Sequence, residues 1–336
     1  MSKKINVAIN GFGRIGRAVF KIILEKYPHY NITAINDLTD TKTLANLLKY
    51  DSAYGIYSGR VSHDEKNIIV NGRKTPVLSE KDPALLPWSK MKVDVVLECT
   101  GRFTNKEGLM MHIKAGAKKV ILSAPAKGEG SVKTIVLGVN ENKISKKDQI
   151  LSCASCTTNC LAPVTDIIRQ KFGIKKALMT TIHAYTADQN LVDGPHKDLR
   201  RARSAGINLV PTTTGAAIAV SQTIPSLKGT FDGLAVRVPV VVGSMCDIVF
   251  LLKKKTTVEE INANFVKIAK NKKYKDIIEP SYEPLVSSDI IGNNHSAIVD
   301  LSLIKVIGGD MVKIIAWYDN EWGYSCRLAD LIALVV

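Results

Sequence analysis

No stretch of this chain is long and apolar enough to cross a bilayer, and none opens it as a secretory leader would. The first residues, Met1-Ser2-Lys3-Lys4-Ile5-Asn6-Val7, run straight into a strand-like segment. Both absences argue against a membrane protein. Cysteine is sparse: six residues, at 99, 153, 156, 160, 246 and 326, among 336. That density excludes a disulfide-stapled scaffold and predicts free thiols in a cytoplasmic protein. Repeats and low-complexity linkers are also lacking, which excludes solenoids and disordered tails. Aromatic residues make up only 6%, and the run Lys253-Lys254-Lys255 has none interleaved, unlike a platform for single-stranded nucleic acid.

What is present in quantity is positive charge, +15 in formal terms. A basic chain attracts nucleic acid, anionic membranes or anionic substrates. Most of the lysines sit in mixed, surface-like runs and read as a solvated exterior. The cluster Arg200-Arg201-Ala202-Arg203 is denser. With 46% hydrophobic and 23% charged residues, a chain of this length has enough core for two domains.

The first half alternates strands and helices. Ile5 to Asn10 is an apolar run, and Arg14 to Glu25 repeats Ile15, Val19, Ile22 and Ile23 at helical spacing. Ile32 to Ile35 predicts a second strand and Thr41 to Leu48 a second helix. Val93 to Cys99 and Val120 to Ser123 predict buried strands, with a helix between them ending near Gly116. Such alternation implies a parallel, doubly wound sheet. Asn71-Gly72 and Gly128-Glu129-Gly130 read as turns. After Cys156 the strands lengthen: Ala177 to His183, Leu234 to Val242, Asp247 to Leu252, Ala297 to Leu301 and Met311 to Trp317. With few helices besides Thr257 to Lys270, they predict an α+β domain on a mixed or antiparallel sheet.

Asn10-Gly11-Phe12-Gly13-Arg14-Ile15-Gly16 holds G-x-G-x-x-G between an apolar strand and an amphipathic helix. Gly11 makes the turn, Gly13 admits a pyrophosphate to the backbone, and Gly16 lets helix and strand close. The helix N-terminus then faces the phosphates. The next strand ends in Asp37, about twenty residues on, where a carboxylate binds the adenine ribose diol and repels a 2′-phosphate. The first domain therefore reads as a Rossmann domain that takes NAD rather than NADP.

Ala154-Ser155-Cys156-Thr157-Thr158-Asn159-Cys160 puts a thiol where an apolar strand gives way to a helix marked by Cys160, Val164, Ile167 and Ile168. Pro163 fits if it lies in the first turns. A thiol at a helix N-terminus is expected to have a lowered pKa. The candidate base is His183, which ends the apolar strand Met179 to His183; a lone histidine there is as readily structural, and its coincidence with Cys156 and a dinucleotide site is what points to catalysis. A thiolate adding to an aldehyde forms a hemithioacetal, which becomes a thioester on loss of hydride while a base takes the hydroxyl proton. Cysteine, histidine and NAD together imply a thiol-dependent aldehyde dehydrogenase whose thioester needs an acceptor. A rival reading makes Cys153-x-x-Cys156 with Cys160 a redox pair or metal site.

Ala-Ser-Cys-Thr-Thr-Asn-Cys-Leu-Ala-Pro at 154–163 resembles the signature of phosphorylating glyceraldehyde-3-phosphate dehydrogenases of bacterial type. The likeness continues through Leu48 to Ser52, Thr100-Gly101-Arg102-Phe103, Ser123-Ala124-Pro125, His183 to Gln189, Pro211 to Ala217, Arg237-Val238-Pro239 and Trp317 to Ser325. It implies an NAD-binding domain over 1–155 and a catalytic domain over 156–321. The helix from about 322 to 336 would pack back on the first domain. It also implies Cys156 as nucleophile and His183 as base, with the Cys156 N–H on the oxyanion. Thr186 and Arg237 would hold the phosphate of glyceraldehyde 3-phosphate. Ser155, Thr157, Thr214, Gly215 and Arg201 would hold attacking inorganic phosphate. Arg14, Ile15, Asp37, Lys81, Ser123 and Asn320 would hold NAD with the glycine loop, and the assembly would be a homotetramer. Cys153, the Val240-Val241-Val242-Gly243 segment and Ile56 depart from the family's usual residues. An erythrose 4-phosphate dehydrogenase and a basic protein that binds nucleic acid or surfaces are the competing functions.

Overall fold

The computed structural model describes residues 4–128, 130 and 132–336. Met1 to Lys3, and Glu129 of the expected Gly128-Glu129-Gly130 turn, lie outside them. The chain divides into two compact units. The first comprises Met1–Ile135, Asn142–Ala154 and Ser325–Val336; the second comprises Val136–Glu141 and Ser155–Tyr324. No helix of the described residues is long and apolar enough to cross a membrane.

The first unit begins β1 (Ile5–Asn10), α1 (Arg14–Lys26), β2 (Tyr30–Asn36) and α2 (Thr41–Lys49), the last capped by Asp40. A small ribbon of β3 (Tyr50–Asp51) and β4 (Gly55–Ile56) follows, then β5 (Val61–His63), β6 (Asn67–Val70) and β7 (Arg73–Leu78). The unit continues with β8 (Val95–Glu98), α3 (Lys106–Lys114), β9 (Lys119–Leu122), β10 (Lys133–Thr134) and β11 (Ile150–Ser152). Nine strands form one sheet in the order β10-β11-β9-β8-β1-β2-β7-β6-β5. Its pairings are parallel from β10 through β7, and the β7-β6-β5 edge is antiparallel. Parallel strands covered on both faces read as unbroken apolar runs, and Val7-Ala8-Ile9 and Val95-Val96-Leu97 are completely buried. The β6–β7 hairpin turns through Asn71 and Gly72, both at positive φ (51° and 81°), as a two-residue turn requires. Strand order reverses beside β1, so the carboxyl ends of β2, β1 and β8 frame the crevice where such sheets bind ligands.

In the second unit, α4 (Cys156–Phe172), β12 (Ile174–Ala184), β13 (Val210–Thr212), α5 (Ala216–Thr223), β14 (Phe231–Val238) and β15 (Ser244–Leu252) are followed by α6 (Val258–Ala269), β16 (Ile278–Ser281), β17 (Ala297–Ile307) and β18 (Met311–Tyr318). The sheet order is β13-β14-β12-β15-β18-β17-β16. It is mixed: β12–β14 and β16–β17 are parallel and the other pairs antiparallel. Ser244, Cys246, Ile248, Phe250 and Leu252 alternate with half-buried neighbours along β15, so one face makes the core. The helix α4 packs on that sheet.

Pro163 departs from expectation. It lies inside α4, past the first turns, and cannot donate to the Asn159 carbonyl. The helix continues through it because nearly every residue from Thr157 to Ile168 is buried, and packing outweighs local propensity. A last helix, α7 (Trp322–Val335), starts in the second unit and belongs to the first from Ser325 onward. There the Tyr27 hydroxyl donates to Asp330, whose carboxylate also pairs with buried Arg327 at 2.7 Å.

Candidate active site

The glycine loop follows β1 directly. A Cβ on Gly11, whose φ is +90°, would sit 2.7 Å from the Thr100 nitrogen, and one on Gly16 would sit 2.1 Å from the Gly11 oxygen. Neither position admits a side chain. A Cβ on Gly13 would meet nothing within 4 Å, and no side chain caps α1 there. The open backbone and uncapped helix start border a cleft of about 370 Å³ lined by Asn10, Gly11, Gly13, Asn36, Asp37, Lys81, Thr100 and Phe103, among others. The Asp37 carboxylate is fixed at its edge by the N–H groups of Phe12 (2.7 Å) and Thr39 (3.0 Å). A bare cradle beside an aimed carboxylate fits a dinucleotide with a free ribose diol. The Arg14 guanidinium is engaged elsewhere, with Asp51 at 2.7 Å and over the Tyr54 ring. Ser123 follows β9, its N–H on the Glu98 carbonyl. Sequence reasoning did not single out Asn36, Thr100, Glu98 or His112. The signal was there: a carboxylate, Glu98, closes the apolar run Val95-Val96-Leu97 and is wholly buried.

In the second unit Cys156 opens α4. Ser155 caps the helix, its Oγ accepting from the Thr158 N–H at 3.1 Å. The preceding Ala154 stands at φ +58°, a conformation L-residues seldom adopt outside functional turns. Parallel pairing of β12 with β14 sets His183 opposite Arg237. The His183 Nε2 lies 3.4 Å from the Cys156 sulfur. Its Nδ1 is 2.7 Å from the Ala184 carbonyl, which Arg237 Nη1 also reaches at 3.1 Å. Nδ1 meets two partners that ask opposite things of it: a proton there donates to the carbonyl and leaves the Nε2 lone pair facing sulfur, the form a base requires, whereas a guanidinium N–H only donates and calls for a bare Nδ1. Arg237 Nη1 is also 2.7 Å from Nδ1, and its Nε is buried with no partner.

The electrostatics differ from the sequence expectation. Burial pushes the Cys156 thiol up rather than down, against the opposing pull of the Arg237 charge and of hydrogen bonds from Thr157. Burial, then the Arg237 cation, drives His183 down to about 3. Burial penalises both charged forms; the Arg237 cation adds to that penalty at His183 and offsets part of it at Cys156. Behind them Thr157 Oγ1 and Thr181 Oγ1 each lie 2.9 Å from the Tyr318 hydroxyl, and the Tyr318 ring stands edge-on to His183.

The other residues expected at the site have varied commitments of their own. The Thr214 hydroxyl accepts from the Ala216 N–H at 3.2 Å, and Gly215 starts α5 without a side-chain cap. The Thr186 N–H faces the Gln189 side-chain oxygen. Arg201 is already paired with Asp188, Thr212 and the Thr213 carbonyl. The Asn320 side-chain oxygen accepts from the Gly243 N–H and the Ser244 hydroxyl, leaving its amide N–H groups as what it can offer. The Cys160 thiol points into the core toward the Ala316 carbonyl, and Cys153 is buried. Among the described residues no three His, Cys, Asp or Glu side chains cluster as a metal site would need.

Residues 5–106 match the NAD binding domain of glyceraldehyde 3-phosphate dehydrogenase, and residues 155–320 match its C-terminal domain. The chain is 53% identical over 331 residues to the glyceraldehyde-3-phosphate dehydrogenase of Thermotoga maritima, covering 98% of each. It is 51% identical over 338 residues to that of Borreliella burgdorferi, covering 99% of this chain and 100% of the relative. The enzyme of Geobacillus stearothermophilus is 51% identical over 332 residues, with 98% of each covered. With both domains matched in order and relatives this similar from end to end, the chain belongs to the glyceraldehyde-3-phosphate dehydrogenase family.

Proposed function

We propose that this protein oxidises D-glyceraldehyde 3-phosphate, with NAD and inorganic phosphate, to 1,3-bisphosphoglycerate. The observation that carries the reading is the Cys156–His183 contact at 3.4 Å beside Arg237, a half-buried cation whose Nε is buried without a partner. His183 takes the thiol proton, and the Cys156 thiolate adds to the aldehyde carbon. The new oxyanion meets the Cys156 N–H and receives the proton from His183. NAD, held by the glycine loop, Asp37, Lys81, Ser123 and the Asn320 amide, supplies the hydride acceptor. His183 takes the hydroxyl proton back as the thioester forms. Inorganic phosphate, held by the N-termini of α4 and α5 through Ser155, Thr157, Thr214 and Gly215, attacks the thioester carbonyl. The C–S bond breaks and the thiolate returns. Arg201 joins that site only by leaving Asp188. Thr186 and Arg237 hold the phosphate of the substrate.

NADH formation from glyceraldehyde 3-phosphate and from erythrose 4-phosphate, each with and without phosphate, tests the reading. The triose rate should be the higher and should depend on phosphate. A faster, phosphate-independent rate with the tetrose would assign the chain to the competing reaction. Arg237→Leu should harm glyceraldehyde 3-phosphate far more than unphosphorylated glyceraldehyde. A charge-assisted contact of this kind contributes about 1.5–3 kcal/mol, so kcat/KM for the phosphorylated substrate should fall roughly 10–150-fold. Equal losses with both would make Arg237 a structural residue. Asp37→Gly should weaken NAD and relax its preference over NADP, read as the ratio of the two kcat/KM values. An unchanged ratio would place specificity elsewhere.

Self-association, as a homotetramer, is supported by the second unit's open sheet face. Leu178, Leu234, Ile307 and Met311 are exposed there, as are Leu191, Leu199 and Ile207 in the loop before β13. Light scattering during size-exclusion chromatography measures the mass; a monomer at micromolar concentration would refute it.

A further inference from the structure

At the carboxyl edge of the first unit's sheet, three neighbouring strands carry polar side chains: Asn10 on β1, Asn36 on β2 and Glu98 on β8. Glu98 has no exposed surface, yet it is fully provided with donors. Its Oε2 accepts from Asn10 Nδ2 at 2.5 Å and lies 3.0 Å from His112 Nε2. Its Oε1 accepts from the Thr100 N–H at 2.8 Å and from the Thr100 hydroxyl. His112, on α3, is as deeply buried, and its Nδ1 lies 3.0 Å from the Trp88 indole nitrogen. An indole N–H only donates, so Nδ1 accepts and the ring proton sits on Nε2, against the carboxylate. On the other side Asn10 Oδ1 accepts from Asn36 Nδ2 at 2.7 Å. The Asn36 amide is held in turn by the Glu80 carbonyl and N–H, each at 2.9 Å. The donor–acceptor sense is thus fixed from Trp88 through to Glu80, and only one orientation of each asparagine amide satisfies it.

A carboxylate in the core is expensive, and an apolar side chain would fill the space at less cost. The network's reach gives the reason for it. Each tethered strand end runs at once into a wall of the cofactor cleft. Asn10 leads into Gly11 to Gly13, Asn36 into Asp37, and Glu98 through Cys99 into Thr100. We propose that Glu98 and His112 are positioning residues for NAD. They form a buried hub that fixes the spacing of the glycine loop, the Asp37 carboxylate and the Thr100 wall without touching the cofactor. The inference rests on NAD occupying this cleft.

The test measures the NAD dissociation constant of the full-length protein by calorimetry, with kcat at saturating NAD alongside. His112→Gln can still accept from Trp88 and donate to Glu98, whereas His112→Leu can do neither. The leucine variant should bind NAD roughly tenfold more weakly and the glutamine variant within about threefold of the parent, with kcat at saturation within twofold in both. Glu98→Gln, nearly isosteric, should also lose roughly tenfold and serves if the leucine variant does not fold. Equal weakening in the leucine and glutamine variants would reduce His112 to packing and overturn the proposal. So would unchanged NAD binding in Glu98→Gln. Asp37→Gly separates the two claims: if it too leaves NAD binding unchanged, the cleft assignment itself is wrong, and if it alone weakens binding, only the hub is.

Discussion

Replacing Cys156 by serine should abolish turnover while leaving NAD binding intact. The substitution changes one atom at the first residue of α4 and removes no main-chain contact. A hydroxyl stays protonated near neutral pH and is a far poorer nucleophile than a thiol whose proton His183 can take. The expected loss in kcat is roughly 10⁴-fold or more, the range reached when an enzyme loses its covalent nucleophile. NAD should still titrate the cleft with the parent affinity, because the residues lining that cleft belong to the first unit. Rates measured with active-site-titrated protein check the first statement and calorimetry the second. Dehydrogenase activity within tenfold of the parent would eliminate Cys156 as nucleophile.

His183→Asn should produce the second large effect. The imidazole is buried, its Nδ1 anchored near the Ala184 carbonyl and its Nε2 aimed at sulfur. Asparagine fills part of the space but accepts no proton, so thiol ionisation and proton removal during oxidation both lose their base. General base catalysis contributes about 10²–10⁴-fold, and the expected loss at pH 7 lies in that range. The sign of the pH dependence follows from the environment. Burial holds the Cys156 thiol above its ordinary pKa and His183 well below its own. The parent should therefore keep a neutral, competent imidazole down to mildly acid pH. The variant depends on hydroxide, and its rate should climb with pH until the thiol ionises unaided. Stopped-flow NADH formation between pH 6 and 9 would show this; parallel profiles for parent and variant would remove His183 from its role.

Much of the cofactor half was legible because its signals are local. Gly11, Gly13 and Gly16 are spaced by a turn and a helix start, and Asp37 directly follows the next strand, so short windows of sequence contain both. The place of Cys156 at a helix start was legible for the same reason, since Ser155 caps the helix that it opens. What sequence could not supply was register. Arg237 stands beside His183 only because β12 and β14 pair in parallel with those two positions opposite, 54 residues apart in the chain. That same neighbour adds to burial in lowering the His183 pKa but opposes burial at Cys156, where burial wins, which a helix N-terminus considered alone does not foretell. The Glu98–His112 hub was hidden similarly. A carboxylate at the end of an apolar strand hints at a function, but Asn10 and His112 reach it from two other segments. The helix α5 was missed because Ala216 to Val220 is apolar on every side and carries no period. Pro163 was misplaced because burial, invisible in spacing, sustains α4 around it.

The central claim is that an acyl group passes through the Cys156 sulfur to inorganic phosphate. Mass spectrometry of protein acid-quenched after mixing with glyceraldehyde 3-phosphate and NAD in phosphate-free buffer tests it most directly. The account predicts a phosphoglyceroyl adduct on the peptide containing Cys156, up to one per chain, that disappears when phosphate is added before the quench. NADH formed without any such adduct, or an adduct on another residue that phosphate discharges, would contradict it.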